Sequence, residues 1–143
     1  MNKKVWIGFI VVFVAMVVLN FIVHGLILSS TYQTVEVSKY MRPKADMDRL
    51  MWVYYIIYLI QSFFFSFIFS KGYEGKGIAE GIRYGLYMGL LLATPMAYAS
   101  YATYPIPYSL AFQWFIYGII CYIILGILLA AIFGKKAKET QTN

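Results

Sequence analysis

Trp6-Ile7-Gly8-Phe9-Ile10-Val11-Val12-Phe13-Val14-Ala15-Met16-Val17-Val18-Leu19 contains no charged side chain and no alternation of apolar and polar residues. A strand of a membrane β-barrel alternates over about ten residues, which this run does not do. It reads as one turn after another of a helix that crosses a bilayer, and its apolar surroundings extend it to residues 5–28. Three further segments resemble it, at residues 50–70, 81–101 and 109–133. At about 1.5 Å per residue each spans a hydrocarbon core of about 30 Å. None holds an Asp, Glu or Lys, and Arg83 lies two residues inside the third, where its side chain can reach the headgroups.

The composition agrees. The 143 residues are 62% hydrophobic and only 13% charged, about half the charge of an ordinary water-soluble domain. The net charge of +6 comes from basic residues beside the apolar runs, a distribution that marks topology rather than nucleic-acid binding. One cysteine, Cys121, and one histidine, His24, provide neither an intrachain disulfide nor a Cys/His zinc set. The expected fold is an all-α antiparallel four-helix transmembrane bundle forming a single integral membrane domain over residues 1–143, with an outer loop at 29–49 and a cytoplasmic tail at 134–143. The opening segment is longer than the apolar core of a signal peptide, and is read as a retained first helix.

Orientation follows from basic residues in the connections. With the N-terminus inside, Lys3, Lys4, Lys71, Lys76, Arg83, Lys135, Lys136 and Lys138 face the cytoplasm, while Lys39, Arg42, Lys44 and Arg49 lie outside. That asymmetry places both termini in the cytoplasm of a bacterial inner membrane. Trp6 and Tyr73 on one side, and Trp52, Tyr101, Tyr104, Tyr108 and Trp114 on the other, stand where aromatic rings anchor helices at the headgroups. In the outer loop, Pro43 is placed to open a helix that starts outside the bilayer. Pro95 predicts a kink in the third helix, and Glu80 and Arg83 are spaced to pair along its first turn.

Lipid is as apolar as leucine, so helices in a bilayer associate through close packing and interhelical hydrogen bonds. Gly77, Gly81, Gly85 and Gly89 recur every fourth position and continue as Ala93 and Ala97, while Gly126, Ala130 and Gly134 form a shorter stripe on the last helix. These surfaces either pack the chain on itself or dock a second copy or a partner membrane subunit.

Polar residues fall at spacings of three and four on each segment: Asn20 and His24; Tyr54, Tyr58 and Gln61; Thr94, Tyr98 and Tyr101; Gln113 and Tyr117. Nearly all sit within about 5 to 16 Å of the outer boundary, and the cost of burying them in hydrocarbon turns them toward one another. The layer is either hydrogen-bonding glue with an aromatic belt, or the lining of a cavity for a small amphipathic ligand, a headgroup or a cofactor ring. His24 could exchange a proton or ligate a metal. Met41, Met47, Met51 and Met96 near its level could suit Cu(I), but methionine is also a routine apolar filler and no metal site is assigned. Phosphate-loop, HExxH, CxxC and GxSxG motifs are absent, and no cofactor can be named.

Asn20-Phe21-Ile22-Val23-His24-Gly25, Glu80-Gly81-Ile82-Arg83-Tyr84-Gly85-Leu86 and Tyr104-Pro105-Ile106-Pro107-Tyr108-Ser109 resemble segments of a widespread group of small bacterial four-helix membrane proteins of unknown function. The chain is also distantly similar to the DUF1761 family in its aromatic-rich first helix end, its glycine-bearing third helix with a proline, and the spaced pair Gly118 and Gly126. Where that family carries Trp-Tyr, Ile27-Leu28 stand here. The resemblance implies a fold and no activity. The reading is a non-enzymatic accessory or binding subunit whose partners are the bilayer and a second copy or another membrane protein, not nucleic acid. The alternatives are a small carrier or channel for an amphipathic solute, and an enzyme acting on a lipid or quinone-like substrate.

Overall fold

The computed structural model describes residues 3–134, and among them the chain is all helical. Helix α1 spans Lys3–Asn20 and passes into a π-helical stretch at Phe21–Ile27. Three short helices follow, α2 (Ser29–Tyr32), α3 (Val35–Ser38) and α4 (Lys44–Arg49). Three long ones complete the chain, α5 (Met51–Gly72), α6 (Ile78–Thr103) and α7 (Tyr108–Phe133). The outer loop is therefore built of helical turns. Pro43 caps α4, and a break at Leu50 separates α4 from α5, so Pro43 does not open the long helix. Lys135, Lys136, Lys138 and all but the first residue of the 134–143 tail lie outside the described residues.

Lys3–Ile27, Met51–Gly72 and Tyr108–Phe133 are long and apolar enough to cross a membrane. The segment at 81–101, expected as a fourth span, is not among them. Its helix α6 is 26 residues long and continues through Pro95. However, Glu80, Arg83, Gly81, Gly85, Gly89 and the tyrosines at 84, 87, 98 and 101 dilute its apolarity.

Side chains are sorted as a bilayer would sort them. Ile10, Val14, Phe21, Leu26, Ile56, Ile60, Leu91 and Ile120 stand exposed, while Gly81, Gly85, Gly89, Gly126, Ala93, Ala97, Ala130, Ser62 and Ser66 lie inside. A water-soluble chain rarely leaves so much contiguous apolar surface bare. Helix α1 packs between α5 and α7, and α6 packs on α7. Helices α5 and α6 meet through Tyr84, whose hydroxyl donates to the Phe65 carbonyl at 2.7 Å while its ring lies 4.7 Å from that of Phe65. The main core joins Val5, Val12, Met16, Phe65, Phe69, Leu125, Leu129 and Phe133, near the end where α1 starts and α7 stops. There the Lys4 ammonium donates to the Phe133 carbonyl at 2.6 Å.

The small-residue stripe of α6 is used within the chain. A Cβ placed on Gly85 would lie 2.6 Å from the Ile123 Cα, and one on Gly81 would lie 2.6 Å from the Ala130 Cβ. One on Gly118 would lie 2.7 Å from the Ala93 Cβ. Gly89 meets Ile119, and Gly126 meets Gly81, so the antiparallel contact runs along most of both helices. Gly77 does not belong to this surface. It precedes α6 with φ 74°, a left-handed conformation that glycine adopts without the Cβ penalty.

The pairing of Glu80 with Arg83 is also corrected. Glu80 is buried, and its carboxylate accepts the backbone N–H of Glu74 at 2.5 Å and of Lys76 at 2.8 Å. Arg83 instead reaches the Glu74 carboxylate at 3.2 Å, which Lys76 also contacts. Hydrogen bonding from Lys76 and Arg83 holds the Glu74 carboxyl below its ordinary range.

Candidate functional site

At Phe21–Ile27 the helical hydrogen bond lengthens to five residues, and the Leu28 N–H closes the stretch on the Val23 carbonyl at 2.8 Å. π-Turns of this kind occur preferentially at functional sites. His24 lies at its centre, and helix α2 begins five residues later. Tyr32, at the end of α2, stacks on the His24 ring at 8° between planes with its hydroxyl oxygen 2.5 Å from Nδ1. The Trp114 indole on α7 donates to the same oxygen at 2.8 Å.

The direction of the chain follows from chemistry. Indole can only donate, so the Tyr32 oxygen accepts from Trp114 and its own proton is free to point at His24. Nδ1 then accepts and the imidazole proton sits on Nε2. This assigns a neutral tautomer from the network rather than from observed hydrogens. Burial pushes the Tyr32 phenol up to about 12; the Trp114 N–H acts in the opposite direction, and Tyr54 adds to the rise. The loop over residues 29–49 is thus latched to the π-helical extension of α1 and to α7. Below the latch, Val37, Ile106, Leu110 and Ala111 form a second apolar cluster, with Tyr32, Met41 and Trp114 against it.

The polar layer expected from the sequence divides into separate groups. Gln61 and Tyr58 lie close to the Tyr122 phenol. Tyr54 is exposed, with its ring 6.3 Å from that of Tyr58. Tyr98 joins a belt with Tyr108 and Phe115, and Tyr101 meets Tyr108 at 5.6 Å. Asn20 spends its amide on the Met16 carbonyl of its own helix, 2.9 Å away. Thr94 is exposed, about a quarter turn off the stripe that faces α7. Tyr117 is half-buried, as is Gln113, whose Oε1 is enclosed with no hydrogen-bond partner among the described residues. The contacts made by these residues fall in separate groups rather than in one cluster.

Sequence reading placed Trp114 only as a headgroup anchor and Tyr32 only in a polar loop. The available signal was a donor-only ring nearly two turns inside α7, which needs an acceptor once buried.

Burial also differs along α5. Its buried residues are Ser62, Phe65, Ser66 and Phe69, and none falls between Met51 and Gln61. The first part of α5 is therefore less enclosed than the second, with only Val53, Tyr58 and Gln61 half-buried and Tyr58 against the main core. Beside it, α4 and the preceding turn enclose a shallow pocket of about 260 Å³ lined by Arg42, Met47, Leu50, Val53, Tyr54 and Ile57.

No protein-family model, curated protein or solved structure matches the chain.

Proposed function

We propose that this protein is a four-span integral protein of the bacterial inner membrane, with both termini cytoplasmic, and that it acts as a non-enzymatic binding subunit. The single observation that carries the binding role is the open outer half of α5, where no residue from Met51 to Gln61 is fully buried and Tyr54, Tyr55, Ile56, Ile57, Leu59 and Ile60 stand exposed. A bundle that needed only to be stable would close that half as it closes the other, where Phe65 and Phe69 are buried. The opening faces the side on which the latch and the pocket stand, and it suits an amphipathic ligand or a partner helix.

Helix α6 completes the quartet because it follows the spanning helix α7 from Gly126 to Phe115 with Gly81, Gly85, Gly89, Ala93 and Tyr98 in antiparallel order. That stretch of 17 intervals on α6 corresponds to about 25 Å of rise, close to the thickness of the hydrocarbon core. The greater number of basic residues on the 71–83 and terminal side supports cytoplasmic ends.

The test uses the lone cysteine. In a Cys121→Ser background, Gln33→Cys is expected to react with an impermeant thiol reagent in intact cells, and Lys76→Cys only after lysis. A photo-crosslinking residue at Ile56 is expected to form a discrete adduct that one at Ile120 on α7 does not. Equal crosslinking at both positions would remove the binding role, and reversed labelling would remove the topology.

A further inference from the structure

The pocket beside α5 joins one cation to an apolar wall at the level of the membrane surface. Arg42 is the only charged residue in its lining, and it makes no hydrogen bond or ion pair among the described residues. The neighbouring Lys44 pairs with Asp48 at 2.9 Å. Asp46 lies on α4 outside the lining. Val53, Tyr54 and Ile57 occupy one face of the first turns of α5, at spacings of three and four. A groove therefore leads from a guanidinium in the short loop before α4 down an apolar helix face.

We infer that this pocket binds the phosphate-bearing headgroup of an anionic phospholipid in the outer leaflet, with an acyl chain laid along α5. The inference rests on the membrane placement proposed above and names the ligand class for the open half of that helix. Guanidinium offers paired N–H donors that match two phosphate oxygens, and an unpaired arginine at the headgroup level has no better partner than an anion. At about 260 Å³ the space lies below the roughly 300 to 1,000 Å³ of pockets that enclose a whole drug-sized ligand. It holds a headgroup and leaves the chain outside, where Ile56, Ile57 and Ile60 present bare apolar surface. The net positive charge of the lining favours a lipid of net negative charge over a zwitterionic one.

The experiment is native mass spectrometry of the full chain released from mild detergent, titrated separately with phosphatidylglycerol, phosphatidylcholine and inorganic phosphate. Phosphatidylglycerol is expected to bind one per chain and to outlast phosphatidylcholine. Arg42→Gln is expected to weaken it about fivefold, equivalent to the roughly 1 kcal/mol that one basic side chain contributes near anionic headgroups. Arg49→Gln, on α4 but outside the lining, is expected to leave it unchanged. Equal loss from both variants, equal retention of both lipids, or displacement of the lipid by millimolar phosphate would overturn the inference. Ile57→Trp, which fills the apolar end, is expected to weaken the lipid without altering the thermal midpoint; unaltered binding would count against the acyl placement. If cysteine labelling reversed while Arg42-dependent retention persisted, the topology would be wrong and the pocket would stand.

Discussion

His24 and Tyr32 lie parallel, eight residues apart in sequence, with the phenol oxygen 2.5 Å from Nδ1 and the Trp114 indole completing the chain. Tyr32→Phe keeps the ring and removes the one atom that both partners use. Leaving a half-buried indole N–H and an imidazole nitrogen unmatched is expected to cost about 1–3 kcal/mol. Unfolding of the detergent-solubilised protein measures this, and hydrogen exchange in residues 29–38 should rise in the variant. Unaltered exchange would show that the latch does not hold the loop.

The same phenol gives a pH dependence. Its pKa in the folded protein is raised to about 12 from an ordinary 10, so the folded state resists ionisation. A raised value means stability that is complete below pH 10 and lost as pH climbs toward 12. The difference in stability between wild type and Tyr32→Phe is expected to be flat to pH 10 and to shrink above it. A difference that grew between pH 10 and 12 would reverse the assignment.

Much of the fold was legible because membrane segments write themselves in composition. Residues 5–28, 50–70 and 109–133 differ by only a few residues at either end from the helices that are formed, and Gly81, Gly85, Gly89, Gly126 and Ala130 announce the α6–α7 contact by spacing alone. What stayed hidden depends on geometry that spacing does not encode. The π-stretch at Phe21–Ile27 changes which way His24 points, without a residue type that marks it. Glu80 and Arg83 had the spacing of an ion pair, but the left-handed turn at Gly77 brought two backbone N–H groups to the carboxylate first. The spacing of the polar residues also did not make them all neighbours, because Thr94 and Tyr54 are exposed.

Gly85 allows a direct test of the stripe. Its missing Cβ is replaced by the Tyr122 carbonyl and the Ile123 backbone, so Gly85→Ala must push α6 from α7. A loss of about 1–3 kcal/mol or more is expected, despite the better helix propensity of alanine. At Gly72 nothing lies within 4 Å of the added atom, and Gly72→Ala should be neutral or slightly stabilising. Thermal unfolding of both variants in detergent makes the comparison. Equal effects would show that the contact is not close.

Glu80→Ala should release the connection between α5 and α6. The Glu74 and Lys76 N–H groups would lose a charged acceptor, an effect of about 1–3 kcal/mol that falls on the loop rather than on the core. Protease cleavage after Lys76 in inverted vesicles is expected to accelerate, and Glu80→Gln should recover part of the protection through its remaining carbonyl oxygen. Full protection in Glu80→Ala would show that Gly77 and its neighbours hold the turn unaided.

Helix α5 should respond unequally along its length. Phe65 is 2% exposed, with its ring against Tyr84 and Tyr122, and its removal leaves a cavity among three helices. Phe65→Ala is therefore expected to cost about 3–5 kcal/mol. Ile56 is 50% exposed on the open half, and Ile56→Ala removes methyl groups that touch little of the chain. Its cost in detergent should stay within about 0.5 kcal/mol, the range of surface changes. In native membranes the ordering changes if the open half is occupied: with the photo-crosslinking residue moved to Ile60, 52% exposed on the same half, Ile56→Ala lowers the yield of the adduct while leaving the detergent midpoint where it was. A large detergent-phase cost at Ile56 would mean that α5 packs along its whole length, and the open half would lose its standing as a binding face.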